Sequence, residues 1–347
     1  MRTAQISLGL LVAAVLSTAA ALAQTGAEAA RSVLYSLDAG ETIMRAESTI
    51  ALAVGATDVV LITTKGKGDA GPFFVLRDKA RKGPFASLKE AMTVAYEGRT
   101  TVSARKRSCA SYEPADPPPG SALVPVHGRG GLHLQFKGAT IGPHKMVLSS
   151  LSLVTPDGAL AYVTSLDDDK AWLESSDGRN VPFGGTPVGL KISPDGRHAT
   201  VLVKGRSSMN EQQAMSKLPP DKFMEATKTM SASYLYTIDG KTFGPFDPFG
   251  SYWYAKTSND VFFRVRDQVF RDGAPMFKMS SLDPCNFYPS PDGSAYVVFD
   301  YSSITFSDGR KYPSPLDISA VVEGGRTIVR WLALENNKDL VVYQKAL

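Results

Sequence analysis

Histidine, cysteine and unbalanced charge are scarce in this chain, and each scarcity removes a class of function. Four histidines, His127, His133, His144 and His198, supply all the imidazole in 347 residues. No H-E-x-x-H, G-x-S-x-G or P-loop pattern occurs, so the common zinc-protease, serine-hydrolase and nucleotide-phosphate signatures are missing. The two cysteines, Cys109 and Cys285, form no C-x-x-C, which leaves a dithiol redox centre or a zinc finger without support. Lys and Arg (38) nearly balance Asp and Glu (34) and are interleaved with them, so no basic block invites nucleic acid. The short basic clusters "RDKARK" (Arg77 to Lys82) and "RKR" (Arg105 to Arg107) read as solvated loops. After the amino terminus there is no run of about 18 apolar residues, so no transmembrane segment is expected in the mature chain. No metal, cofactor or catalytic residue is assigned from sequence.

What is present begins with a targeting segment. Arg2 is a positive start, Ile6 to Leu16 ("ISLGLLVAAVL") a short apolar stretch, and Ala21 to Ala23 ("ALA") a small-residue cleavage site. Residues 1–23 are therefore expected to be a cleaved Sec-type signal peptide of bacterial style, with residues 24–347 as one exported domain in the periplasm or outside the cell. In that oxidising compartment Cys109 and Cys285 could pair in a long-range disulfide.

Three near copies of one phrase carry the architecture. "TPDGALAYVTS" begins at Thr155, "SPDGRHATVLVK" at Ser193 and "SPDGSAYVVFD" at Ser290. Ser or Thr, Pro, Asp and Gly each suit one position of a tight turn, and a β-branched or aromatic strand follows each turn. A second kind of Gly turn recurs at Asp177, Asp239, Asp272 and Asp308. Weaker copies of the first turn are placed near Thr57, Gly98, Asp260 and Gly325, and of the second near Gly83 and Gly138. Two alternating turns with a strand before and after each make four strands per period, and the tight copies recur roughly every 33 to 41 residues. That is the signature of an all-β propeller, in which each four-stranded unit must stack on its neighbours. Seven blades are counted, with six or eight as alternatives. The last unit lacks its outer strand, which "SVLYSL" (Ser32 to Leu37) can supply, so that N- and C-terminal strands close the ring. "TIALAV" (Thr49 to Val54) is then the inner strand of the first complete unit.

The "SPDG" strand-start resembles the WD40-like (PD40, TolB-type) repeats of bacterial exported propellers, over about Leu151 to Arg330. The Gly-His…Trp-Asp signature of WD40 proteins is absent. The resemblance implies a fold and carries no site residues.

Two segments depart from the period, residues 105–131 and 205–233. Both are placed between second and third strands, hence on one face, which becomes the candidate binding face. The first contains "PPPG" and Cys109. The second reads as a helical hairpin, with a capping pattern in "SSMNEQ" and Pro219–Pro220 between two helices. Met209, Met215, Phe223, Met224 and Met230 either seat that hairpin or present a soft apolar surface to a partner. "SLDDDKAW" (Ser165 to Trp172) lacks calcium-loop spacing and reads as a charged turn. Tyr252, Trp253 and Tyr254 either pack between blades or stack on sugars. The expectation is a protein-binding scaffold whose partner is an envelope or extracellular protein. A hydrolase or lyase with its site in the central funnel and a carbohydrate-binding propeller are the alternatives.

Overall fold

The computed structural model describes residues 28–45, 47–53, 56–66, 70–77, 80–97, 109–167, 170–205, 219–220, 222, 224, 232–279, 282–300, 302–313 and 315–347. The chain is all-β, built of up-and-down antiparallel sheets of the propeller type, and seven such sheets occur among the described residues. They fall into two compact units, residues 1–110 with 285–347 and residues 111–284. Among the described residues no helix is long and apolar enough to cross a membrane.

The first unit holds three sheets. In one, Asp317–Glu323, Arg326–Glu335 and Asp339–Ala346 are completed by the amino-terminal strand Ala30–Ser36, which pairs with Asp339–Ala346 from Ala30↔Gln344 to Ser36↔Asp339. The missing fourth strand thus comes from the other end of the chain, and no edge of Asp339–Ala346 is left open. Arg31 locks the join with a bidentate grip on Glu335 at 2.5 and 3.1 Å. The second sheet runs through Ala56–Thr64, Phe73–Arg77 and Ala80–Phe85, with Thr42–Ile43 and Thr49–Ala53 both pairing on Ala56–Thr64. The third is Phe287–Pro289, Tyr296–Phe299, Ser303–Phe306 and Lys311–Pro313.

The second unit holds four sheets. Val124–Gly128, Gly131–Phe136 and Ala139–His144 form a three-stranded one. Met146–Val147 and Leu153–Val154 both pair on Ala161–Asp167, which continues to Lys170–Ser175 and Asn180–Phe183. The last two are Thr186–Ile192, Ala199–Lys204, Ser233–Thr237, Thr242–Phe246, and Phe249–Tyr254, Val261–Val265, Gln268–Arg271, Ala274–Lys278.

The repeated phrase builds one repeated hydrogen-bond network. Thr155, Ser193 and Ser290 are buried. Each hydroxyl donates to the Asp two residues on, at 2.5, 2.5 and 2.6 Å, and accepts the N–H five residues on, from Leu160, His198 and Ala295, each at 3.0 Å. The Gly N–H closes the turn on the Ser or Thr carbonyl. Gly158, Gly196 and Gly293 adopt φ of 67, 69 and 67°, which explains the fixed glycine. The second turn also links sheets within the second unit. Arg179 reaches Asp239 at 3.1 Å, and Lys241 reaches Asp272 at 2.8 Å, so the basic residue two after one turn aspartate grips the next turn's aspartate.

Three features depart from the sequence reading. Gly83 lies inside the strand Ala80–Phe85 rather than in a turn. It matches Gly142 and Gly244, each of which precedes a proline in an outer strand. A Cβ at any of the three would lie 2.8 Å from the facing carbonyl of Phe73, Leu132 or Ser233. At Gly138/Gly142 and Gly240/Gly244 a turn glycine precedes the strand glycine by four residues, and at Gly83 the turn glycine is absent. Secondly, Leu88–Ala95 is a helix whose Ala91 and Ala95 join the Val60, Ile62, Phe73 and Val75 core. Ser87 accepts the Glu90 N–H at 3.2 Å and Glu90 accepts the Ala86 N–H at 3.3 Å, a capping arrangement. Thirdly, the stretch 105–131 is not one loop, because Val124–Gly128 is a strand that turns through Arg129–Gly130 into Gly131–Phe136. The turn placed near Gly98 lies outside the described residues.

Candidate functional site

The two inserted segments leave opposite ends of the strands. The base of 205–233 is closed by the pair Lys204↔Ser233 and by the Gly205 N–H on the Ala232 carbonyl at 2.8 Å, at the ends of the strands away from the Ser193 turn. The other segment, from Ser111 onward, meets the first-type turns of the second unit. Ser111 bridges to Ala255, the Tyr112 N–H donates to the Tyr254 carbonyl at 2.7 Å, and Ser121 packs against Gly158. Within the second unit the two insertions therefore do not share a face. The sequence placed the first one by counting strands through a region that is in fact helical.

Residues 113–120 ("EPADPPPG") form an exposed strap between these anchors. Its other flank is covalent, since Cys109 and Cys285 are joined by a disulfide with an S–S distance of 2.06 Å. Beside it the Ala110 N–H donates to the Cys285 carbonyl at 3.0 Å. Tyr112 fills the hydrophobic clusters around Leu173 and around Phe263, and burial pushes its phenol pKa up, helped by the charges of Asp157 and Asp195. Of the apolar set in the helical insertion, Met224 is 60% exposed, while Met209, Met215, Phe223 and Met230 lie outside the described residues.

Tyr252, Trp253 and Tyr254 are buried at 6, 0 and 2% exposure, so none of these three rings offers a face to a sugar. Tyr254 shares a 2.7 Å hydrogen bond with Thr200 inside the second unit. Alternation in Phe249–Tyr254 points Tyr252 and Tyr254 toward Gly189 and Thr200 of the neighbouring sheet, while Trp253 stacks on Phe262 of its own sheet.

The histidines do not converge. His127 is exposed, and His198 sits on Asp239 at 2.7 Å beside its turn. His144 is 6% exposed and lies between two carboxylates, with Nδ1 3.0 Å from Asp167 and Nε2 in close contact with Glu174. Burial pushes the Glu174 carboxyl up. Burial acts the same way on Asp167, but the His144 ring and the Lys145 N–H outweigh it and hold that carboxyl below its ordinary range. His144 ends Ala139–His144, the third strand of its sheet, and Asp167 and Glu174 belong to the second and third strands of the next. The cluster thus seats one sheet on another, away from the inner strands. Asp167 also accounts for one carboxylate of "SLDDDKAW"; Asp168 and Asp169 lie outside the described residues. Among the described residues no group of three metal-ligating side chains is placed to hold an ion. Arg81 of the first basic cluster is not merely solvated. It pairs with buried Glu41 at 2.8 Å and lies 4.1 Å over the Phe74 ring.

No protein-family description matches the chain, and no curated protein matches it. Several solved structures do. Virginiamycin B lyase from Staphylococcus aureus aligns over 92% of this chain and all of its own, at 10% identity and a TM-score of 0.26. The β-propeller domain of the trilobed protease from Pyrococcus furiosus aligns over 86% of this chain and 97% of its own, at 12% identity and 0.26. TolB from Acinetobacter baumannii aligns over 88% of this chain and 63% of its own, at 11% identity and 0.22.

Proposed function

We propose that this chain is an exported β-propeller of the WD40-like, TolB-type repeat class, with seven blades, that acts as a protein-binding scaffold in the periplasm or outside the cell. Its docking surfaces are the inserted segments. One contrast carries the reading. The sheets are held by self-contained turn networks, whereas residues 113–120 and the exposed Met224 spend no side chain on the ladders. A rigid frame with projecting, non-repeated segments suits recognition of another protein. In-cell photo-crosslinking from Met224 and from Asp116 tests it. One dominant protein adduct, lost when residues 205–233 or 113–120 are deleted, is the expected outcome. A folded, exported chain that yields no adduct from either position refutes it.

A further inference from the structure

The ends of the inner strands in the second unit carry two ammonium groups that make no ion pair among the described residues. Lys191 is the penultimate residue of Thr186–Ile192, and Lys256 stands two residues beyond the end of Phe249–Tyr254. The Lys191 Nζ lies 5.3 Å from the centre of the buried Tyr252 ring. Gly189 admits that ring, since a Cβ there would stand 2.9 Å from the Tyr252 hydroxyl. Burial lowers the pKa of both ammonium groups, and the one carboxylate that pulls each back up is Glu113.

Glu113 is delivered by the strap. The Ser111–Ala255 bridge and the Tyr112–Tyr254 hydrogen bond fix the two residues before it beside the strand that leads into Lys256. Glu113 itself is exposed. Of the turn carboxylates at this end, Asp157 and Asp195 are committed to the hydroxyls of Thr155 and Ser193 and to turn N–H groups, and Asp260 to Arg271. The turn carboxylates are thus engaged elsewhere, and Glu113 is the carboxylate whose charge acts on both ammonium groups. The half-buried Lys191 ammonium interacts more strongly with an anion than one in open water does, because the local dielectric is lower.

We propose that Lys191 and Lys256 bind an oxyanion, the carboxylate or phosphate group of a small ligand, and that Glu113 on the strap competes with it. The proposal does not depend on the docking role.

Isothermal titration of the full oxidised chain at low ionic strength, with inorganic phosphate and separately with succinate, tests it. Saturable one-site binding of at least one anion is expected, at millimolar or tighter affinity. Lys191→Met and Lys256→Met should each weaken it about tenfold or more, and Glu113→Gln should tighten it several-fold. Lys311→Met, at an exposed lysine of the first unit, should leave it unchanged. Binding of phosphate alone assigns a phosphoryl ligand, and binding of succinate alone a carboxylate. Saturation by neither anion overturns the proposal. So does binding that survives both lysine replacements, or that Lys311→Met weakens equally. Lys256 is exposed, so its variant keeps the test decisive if Lys191→Met fails to fold.

Discussion

Reduction of the Cys109–Cys285 disulfide should loosen the second unit selectively. The two cysteines are 176 residues apart, and the segment between them contains all of residues 111–284. Chain-entropy reasoning for a loop of that length gives about 5 kcal/mol of restraint on the unfolded chain. Measured values for native disulfides run lower, at roughly 2–5 kcal/mol, so a loss of about 3–4 kcal/mol is expected. For a unit of this size that corresponds to roughly 10 °C in Tm. The assay is thermal and guanidinium unfolding of the oxidised chain, the reduced chain and a Cys109→Ser/Cys285→Ser variant. Two fully buried tryptophans read the units apart, Trp331 in the first and Trp253 in the second. A Trp331→Phe background isolates the second unit's signal from Trp331. The second unit's transition, read from Trp172 and Trp253, should move down and the serine variant should match the reduced chain. Coincident oxidised and reduced curves would refute the reasoning, because they would show that the ends of residues 111–284 are held together without the covalent link.

Two further perturbations test the turn network and the buried imidazole. Ser193→Ala removes the hydroxyl that serves both Asp195 and the His198 N–H, and should cost about 1–3 kcal/mol in urea unfolding; Ser294→Ala, at an exposed hydroxyl on Asp292, should fall within about 0.5 kcal/mol of the parent. Around His144 the two carboxylates should act in opposite directions. Asp167 is held low, so its contribution is present above its unfolded value near ~4 and fades as pH falls through the lower folded value. Glu174 is held high, so its contribution is full below its unfolded value and fades as pH rises through the folded one. Stability of Glu174→Gln relative to the parent should therefore rise with pH across that upper window, and a flat difference between the two pH–stability curves would contradict it.

The turns were legible because their chemistry is local. Ser193, Asp195 and Gly196 bond to one another within six residues, so the phrase and the network are nearly the same object. The completing strand was legible from bookkeeping of four strands per period, and Ala30–Ser36 fills the place that "SVLYSL" was expected to take. The helix Leu88–Ala95 is also written locally, in Ser87 and Glu90, but a period of four strands hides it. The two glycine kinds in "DGKTFGPFD" could have been separated by their spacing of four, since only the later one faces a carbonyl across the strand pair.

The sequence by itself determined the strand–turn alternation, the two turn chemistries and the source of the last strand. Those rest on bonds between near neighbours or on a fixed period. Only the tertiary structure decided which groups meet across sheets. His144 reaches Asp167 and Glu174 from another sheet, and Tyr252 lies under Lys191 from the neighbouring one. It also decided that the strap from Ser111 meets the first-type turns while residues 205–233 leave the opposite strand ends. Such contacts depend on sheet stacking and loop path, and neither has a spacing that a single chain displays.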